Sequence, residues 1–461
     1  MKPARIMRQP NRSATDGRSV ESVRAIAHPL DGAAHDYDPL MDLVDNARFV
    51  LLGAASHGTY EFYRERAEIT KRLIQEKGFT AVAAEADWPG AYRVNRYVRG
   101  EKIDTDAVEA LAGLRRFPAW MWRNTAVIEL VDWLRAYNDK LSAGATKIGF
   151  YGLDLYSLRA SREAVLRYLE RIDPKAADRA RAQYACFDHF ADNARGYAVF
   201  GGVGRPCRNA AVAGVVELQQ SRAVREARGA GAEPEEEYFN ALQNARVVKN
   251  AEGVYASMYR SQAPAWNLRE QHMAVTLDDL GTHLNKQGGG RVKIAVWAHT
   301  SHLGDARATE KREDRLVNVG QLVREQHVGE TMLICFTTNG GTVTAASDWD
   351  GPPEIRELRP ALSDSYEALF HDTQLGRFMI SHRERDKVPE ALRHDRPERS
   401  IGAVYHSQTP AVERAAHYFT ARVAEQFDAV FYFDKTRAVE AIEHNRGEAS
   451  EKVPLTYPFE V

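Results

Sequence analysis

The chain is short of the features that mark several common protein classes. Its 461 residues hold only three cysteines, Cys186, Cys207 and Cys335, and no C-x-x-C pair. So odd and sparse a set does not read as a disulfide framework and suits a reducing compartment. No uninterrupted apolar run approaches the ~20 residues needed to cross a bilayer. The first residues, Met-Lys-Pro-Ala-Arg-Ile-Met-Arg, are basic but lead into no apolar h-region, so a secretory signal is not expected. An excess of one charge is missing too. A formal net charge of −2 gives no reason to expect a nucleic-acid or membrane-surface partner. H-E-x-x-H is absent, which removes the zincin pattern, and Ser56 is not at the centre of a G-x-S-x-G elbow, which removes that nucleophile. No 20–50-residue repeat is visible.

What is present fits a folded, soluble, cytoplasmic protein. Hydrophobic residues make up 44% and charged residues 27%, ordinary values for globular chains. The length suffices for one large domain or two of average size. Residues 1–28 are rich in Arg, Ser and Asp with little periodicity and read as a flexible leader. Beyond them, short β-like runs alternate with helical stretches, so residues 29–461 are expected to form one α/β domain.

The strand-like runs are Phe49–Gly53, Phe79–Ala84, Lys147–Gly152, Val292–Trp297, Met332–Phe336 and Ala429–Phe433. Their continuous apolar character predicts strands covered on both faces, hence a mainly parallel central sheet flanked by helices. Residues 161–286 show no such run and read as a large helical insertion covering the strand C-terminal ends, interrupted by a glycine-rich loop at 201–204. His57, Glu85, Asp154 and His299 each follow a predicted strand. In open α/β sheets ligands bind beyond that edge, so parallel strands would gather these side chains there.

Each motif alone admits a plain structural explanation as well as a chemical one. In Gly53-Ala54-Ala55-Ser56-His57-Gly58 the histidine suits general-base work near neutral pH, but a histidine bonded to loop backbone fits better on this segment alone. Gly58 allows φ > 0 and close ligand approach. Arg66 falls on the apolar stripe of Phe62, Ile69 and Leu73, where a cation needs a carboxylate or ligand, or else snorkels to the helix edge. In Glu85-Ala86-Asp87-Trp88-Pro89, Asp87 suits a helix cap with Pro89 in the first turn, whereas Glu85 ends the strand itself. His299-Thr300-Ser301-His302 has a spacing open to metal ligation, to a base with an orienting group, or to ordinary loop polarity. Arg269 is compatible with an oxyanion clamp or a surface position.

Taken in order, these segments resemble the erythromycin esterase family. The resemblance runs from about Asp45 onward. The family's G-E-[AS]-[ST]-H-G corresponds to Gly53-Ala54-Ala55-Ser56-His57-Gly58, its E-A-D-W-P to Glu85–Pro89, and its W-A-H-N-x-H to Trp297–His302. Asn267-Leu268-Arg269 and Gln408-Thr409-Pro410 also fit. The resemblance implies hydrolysis of an ester or lactone, a macrolide among them, with an antibiotic-resistance role. It implies His57 as the base that activates water, with Glu85, His299, His302 and Arg66 as catalytic partners. Arg269 and Asp87 are expected to contact substrate. It implies no metal and no cofactor, with a small-molecule partner only. Ala54 departs from the pattern, since the family usually carries glutamate there. Two alternatives follow: a metal-dependent hydrolase ligated by His57, Glu85, His299 and His302, and a catalytically weakened ligand-binding relative.

Overall fold

The computed structural model describes residues 15–190, 207–227, 234–258, 262–288, 290–382 and 387–442. Eleven strands are found among them: β1 (His28–Pro29), β2 (Phe49–Ala54), β3 (Ala81–Asp87), β4 (Gly149–Asp154), β5 (Ile294–His299), β6 (Thr331–Ala345), β7 (Glu354–Leu358), β8 (Arg377–Ser381), β9 (Arg396–Arg399), β10 (Tyr418–Ala421) and β11 (Ala429–Thr436). Nine form one sheet in the order β1-β8-β11-β6-β2-β5-β3-β4, with β7 added to β6. The run from β11 to β4 is parallel throughout. β8 pairs antiparallel with β11 and with β1, as β7 does with β6. β9 and β10 form a separate two-stranded ribbon.

The helices before the long insertion are α1 (Thr15–Ile26), α2 (Asp38–Val44), α3 (Tyr60–Lys77), α4 (Trp88–Val98), α5 (Ala107–Ala110) and α6 (Thr125–Asp139). Then come α7 (Leu158–Ile172), α8 (Pro174–Tyr184), α9 (Arg208–Ala227), α10 (Glu235–Met258) and α11 (Gln262–Gly288). Every residue of β2, β4 and β5 is buried, which explains their unbroken apolar runs. Alternation along β2 divides the core. Phe49 and Leu51 face the cluster under α7–α11, whereas Val50, Leu52 and Ala54 face α3 and α6.

Two expectations change. Within the segment read as a leader, Thr15–Ile26 is a helix that buries Val23 and whose Arg24 donates to the Thr373 carbonyl, while residues 1–14 lie outside the described residues. Its ordered end comes from tertiary contacts that a weak local period does not reveal. Cys186 and Cys207 are joined by a disulfide with their Cα atoms 5.9 Å apart, while Cys335 is free and buried. Packing of α8 on α9 brings the two together, which sequence spacing does not report. The glycine-rich segment 201–204 lies outside the described residues. Among the described residues no helix is long and apolar enough to cross a membrane.

Candidate active site

Three side chains of the cluster are the last or near-last residues of parallel strands. Glu85 belongs to β3, Asp154 ends β4 and His299 ends β5. β5 enters the sheet between β2 and β3, so His299 stands directly across from Ala54 in the register. The loop after β2 carries His57 to the same edge. Its ring centroid is 4.8 Å from that of His299, tilted by 49°. Two segments more than two hundred residues apart thus present their imidazoles to one place.

Glu85 is the hub. Its Oε2 accepts from the His299 backbone N–H at 2.9 Å, and its Oε1 accepts from Arg269 Nη2 at 2.9 Å and lies 3.2 Å from His302 Nε2. Burial alone would raise its pKa. The charges of His302, His57 and Arg269 outweigh that and hold it well below the usual carboxylate range. His302 is fully buried, and its other nitrogen, Nδ1, sits 2.6 Å from Glu270 Oε1. Burial pulls the His302 pKa down, but Glu270 and Glu85 more than compensate, lifting it to about 9. His302 is therefore an imidazolium that donates to two carboxylates. Arg269 Nη1 also lies 3.4 Å from His302 Nε2, but with both groups protonated this contact is cation beside cation, bridged by the same carboxylate oxygen. Trp266 stacks on the His302 ring at 5.0 Å, and Lys311 sits 4.1 Å over the indole while donating to the Ser301 carbonyl.

His299 is held differently. It occupies the N-cap of the short helix α12 (Thr300–Leu303), where its Nδ1 accepts from the Ser301 N–H. Its Nε2 is 3.2 Å from the Ile401 carbonyl, which can only accept, so the proton is assigned to Nε2. The His57 loop is pinned from outside. Tyr63 Oη donates to the His57 carbonyl at 2.6 Å, and the Thr344 and Val439 N–H groups donate to the Gly58 carbonyl. Gly58 has no positive φ. A Cβ there would overlap the Thr344 carbonyl, so glycine is required for close approach of β6 rather than for a left-handed turn or a ligand.

Arg66, on the second turn of α3, is 3% exposed. Its Nε donates to the Phe62 carbonyl, and its guanidinium lies 4.6 Å from each of the Tyr63 and Trp297 rings. Arg269 does not reach outward. Its guanidinium forks onto Asp154 at 3.0 and 2.8 Å in addition to Glu85. Asp87 is at the N-cap position of α4, but its carboxylate makes no cap bond. It accepts instead from Arg116 Nε and the Tyr156 N–H, a cation being the stronger partner. Arg116 also donates to Asp154, which stays ionised because Arg269 and Arg116 offset its burial. Both guanidinium groups also lie against the Tyr156 ring, at 4.6 and 5.0 Å.

Glu270, Arg116, Tyr63 and Trp266 are members that reading the sequence for strand ends does not find. Glu270 adjoins Arg269 and was readable as a second charge on a buried helix, but nothing local links it to His302. Thr409 caps the helix opened by Pro410, and Asn267 pins the Arg315–Val317 backbone, so these two residues are structural. The oxygens of Glu85 and the nitrogens of His302 are engaged with protein partners. Among the described residues no group of three or more His, Cys, Asp or Glu is arranged to hold a metal ion.

Comparison with known proteins follows the same lines. The sequence model of the erythromycin esterase family matches residues 74–436, a stretch that includes Glu85, Arg269, His299 and His302 and begins after His57 and Arg66. Erythromycin esterase type II of Escherichia coli is 29% identical over 128 residues, 28% of this chain and 28% of that protein. The putative hydrolase YbfO of Bacillus subtilis (strain 168) is 22% identical over 156 residues, 33% of this chain and 32% of the relative. The match thus spans less than a third of either relative's length. Among solved structures, a succinoglycan biosynthesis protein superposes with a TM-score of 0.72 at 22% identity, covering 93% of this chain and 100% of its own. A Bacillus cereus protein gives 0.73 at 19% identity, with 94% and 100% covered. An erythromycin esterase mutant, EreC in its open conformation, gives 0.61 at 17% identity, with 88% and 95% covered. Likeness at such identities shows the fold alone.

Proposed function

The chain belongs to the erythromycin esterase family, and from that premise we propose that it hydrolyses an ester or lactone with water activated by His57. The observation that carries this reading is the meeting of the His57 and His299 rings at 4.8 Å beside an ionised, buried Glu85. In the proposed reaction His57 takes a proton from water as the oxygen adds to the carbonyl. Glu85 stabilises the imidazolium so formed, and Arg66 supplies positive charge to the oxyanion. The tetrahedral adduct then expels the alcohol, which receives the proton back from His57. No acyl-enzyme forms. His302, with both nitrogens on carboxylates, holds Glu85 in place rather than donating to substrate. His299 orients the water or carbonyl. Arg269 and Asp87 act by fixing the floor of the site, through Asp154 and Arg116, where substrate rests.

A macrolide lactone is one member of this substrate class, and the reading is metal-independent. The test is a screen of lactones and simple esters with and without chelator. Turnover should survive the chelator and fall ~10²–10⁴-fold in His57→Ala, the range for one positioned acid–base group. Activity that persists in His57→Ala, or that disappears with the chelator, ends the proposal. The reading includes a cytoplasmic location, where the Cys186–Cys207 pair is open to reduction. Trapping thiols in intact cells decides that point, a reduced pair supporting the cytoplasm.

A further inference from the structure

Among the described residues Arg66 is the arginine of the site that has no anion paired with it. Arg269 and Arg116 each bind carboxylates within the network, and His302 is enclosed by two. No carboxylate among the described residues forms an ion pair with Arg66, although it is 3% exposed. Glu85 acts on it only at longer range. Burial lowers its pKa, but to about 10, so it keeps its charge at neutral pH. A buried cation without a counter-charge is costly, and chains keep one where a ligand supplies the missing anion.

The surroundings restrict how that anion can arrive. The Tyr63 and Trp297 rings each lie 4.6 Å from the guanidinium carbon, so two of its approaches are taken by aromatic rings. Nε is spent on the Phe62 carbonyl one turn earlier in α3. That bond turns the guanidinium back toward the start of the helix and the strand edge where His57 lies. Tyr63 takes a side-chain hydrogen bond from the guanidinium as well, and with five N–H groups in one plane Arg66 still has donors left on Nη1 and Nη2. Two coplanar N–H groups match the two coplanar oxygens of a carboxylate.

We propose that Arg66 is a carboxylate-binding site, so that the acyl part of the ligand is held by a carboxylate in the Nη1–Nη2 fork beside His57. Ala54 brings no carboxylate of the chain's own to that corner. It ends β2 on the same sheet face as Leu52, which is paired in register with Trp297, and so lies one step nearer the strand edge than the indole that Arg66 covers. A glutamate at 54 would project into this corner and occupy the fork from within. The ligand carboxylate has two possible sources: the acid released by hydrolysis, or a second acid group already on the ester.

Calorimetric titration with benzoate at constant ionic strength tests the site without turnover, and so independently of the hydrolase reading on which its catalytic use rests. The wild-type protein should bind benzoate. Arg66→Lys keeps the charge and loses the fork, and should bind about tenfold more weakly or worse. Ala54→Glu should lose binding in the same way, which keeps the test alive if Arg66→Lys does not fold. Absence of benzoate binding by folded wild-type protein, or equal binding in Ala54→Glu, overturns the proposal. The two sources separate by kinetics. A lower KM for the half-ester of a dicarboxylic acid than for its neutral diester identifies the substrate's own acid group. Equal KM values with competitive inhibition by the released acid identify the product. Benzoate binding through Arg66 in a protein that cleaves no ester would sink the hydrolase reading and leave the carboxylate site standing.

Discussion

Glu270 Oε1 lies 2.6 Å from His302 Nδ1, and neither residue has measurable solvent exposure. With Glu85 on the opposite nitrogen, the imidazole is clamped as a cation between two acids, which places its titration at about 9. A histidine raised in the folded state contributes stability that is complete below its unfolded value of 6.5 and is lost as pH climbs through about 9. Glu270→Gln removes one of the two charges and should cost ~3–5 kcal/mol at pH 6, the typical penalty for breaking a buried pair. The gap between wild type and variant in urea unfolding should narrow from pH 6.5 to pH 9.5. A gap independent of pH would show that Glu270 acts only by packing and by its bond to the Val319 N–H.

Arg269 joins Glu85 to Asp154 and ties α11 to the ends of β3 and β4. Arg269→Met leaves two buried carboxylates short of a cation and should lower stability by ~3–5 kcal/mol. Arg269→Lys should recover little, because an ammonium cannot span both acids in the planar fork. Thermal unfolding of the two variants measures this, and a near-wild-type lysine variant would refute the role of the fork.

Gly58→Ala should harm the site without touching a reactive group. The added Cβ overlaps the Thr344 carbonyl, so the His57 loop or β6 must shift. Overpacking of this kind costs ~1–3 kcal/mol. Its signature is a chemical-shift change at the His57 and Thr344 backbone amides, with the His302 ring signals unmoved. Unchanged amides would mean that the loop accommodates a methyl group.

The Cys186–Cys207 bond closes a separation of 21 residues between α8 and α9. In a chain-entropy account a loop of this size contributes ~3 kcal/mol. Cys207→Ser should therefore lower the unfolding midpoint, and wild-type protein in reductant should match it. Identical midpoints with and without reductant would show that the bond adds nothing to stability.

Sequence alone determined the central strands and the edge on which the candidate site residues gather. β2, β4 and β5 are buried on both faces, and that burial writes itself into composition as apolar runs that stop shortly before His57, at Asp154 and at His299. Edge elements left no such trace. β1 has two residues, and β9 and β10 pair only with each other, so their residues answer to distant partners rather than to a local period. The motifs named residues that the fold brings together, but not the partner of each group. Asp87 holds the cap position predicted for it and still gives its carboxylate to Arg116, and Gly58 is glycine because β6 passes close to it.

Tertiary structure decided which charges neutralise one another. Glu270 meets His302 across 32 residues, Arg269 meets Asp154 across 115, and Arg66 meets no acid among the described residues. Hydrophobic period is a property of neighbours along the chain, so it is legible there. Ion pairing in a dry interior is a property of neighbours in space, fixed only when β5 enters the sheet between β2 and β3 and α11 closes over their ends.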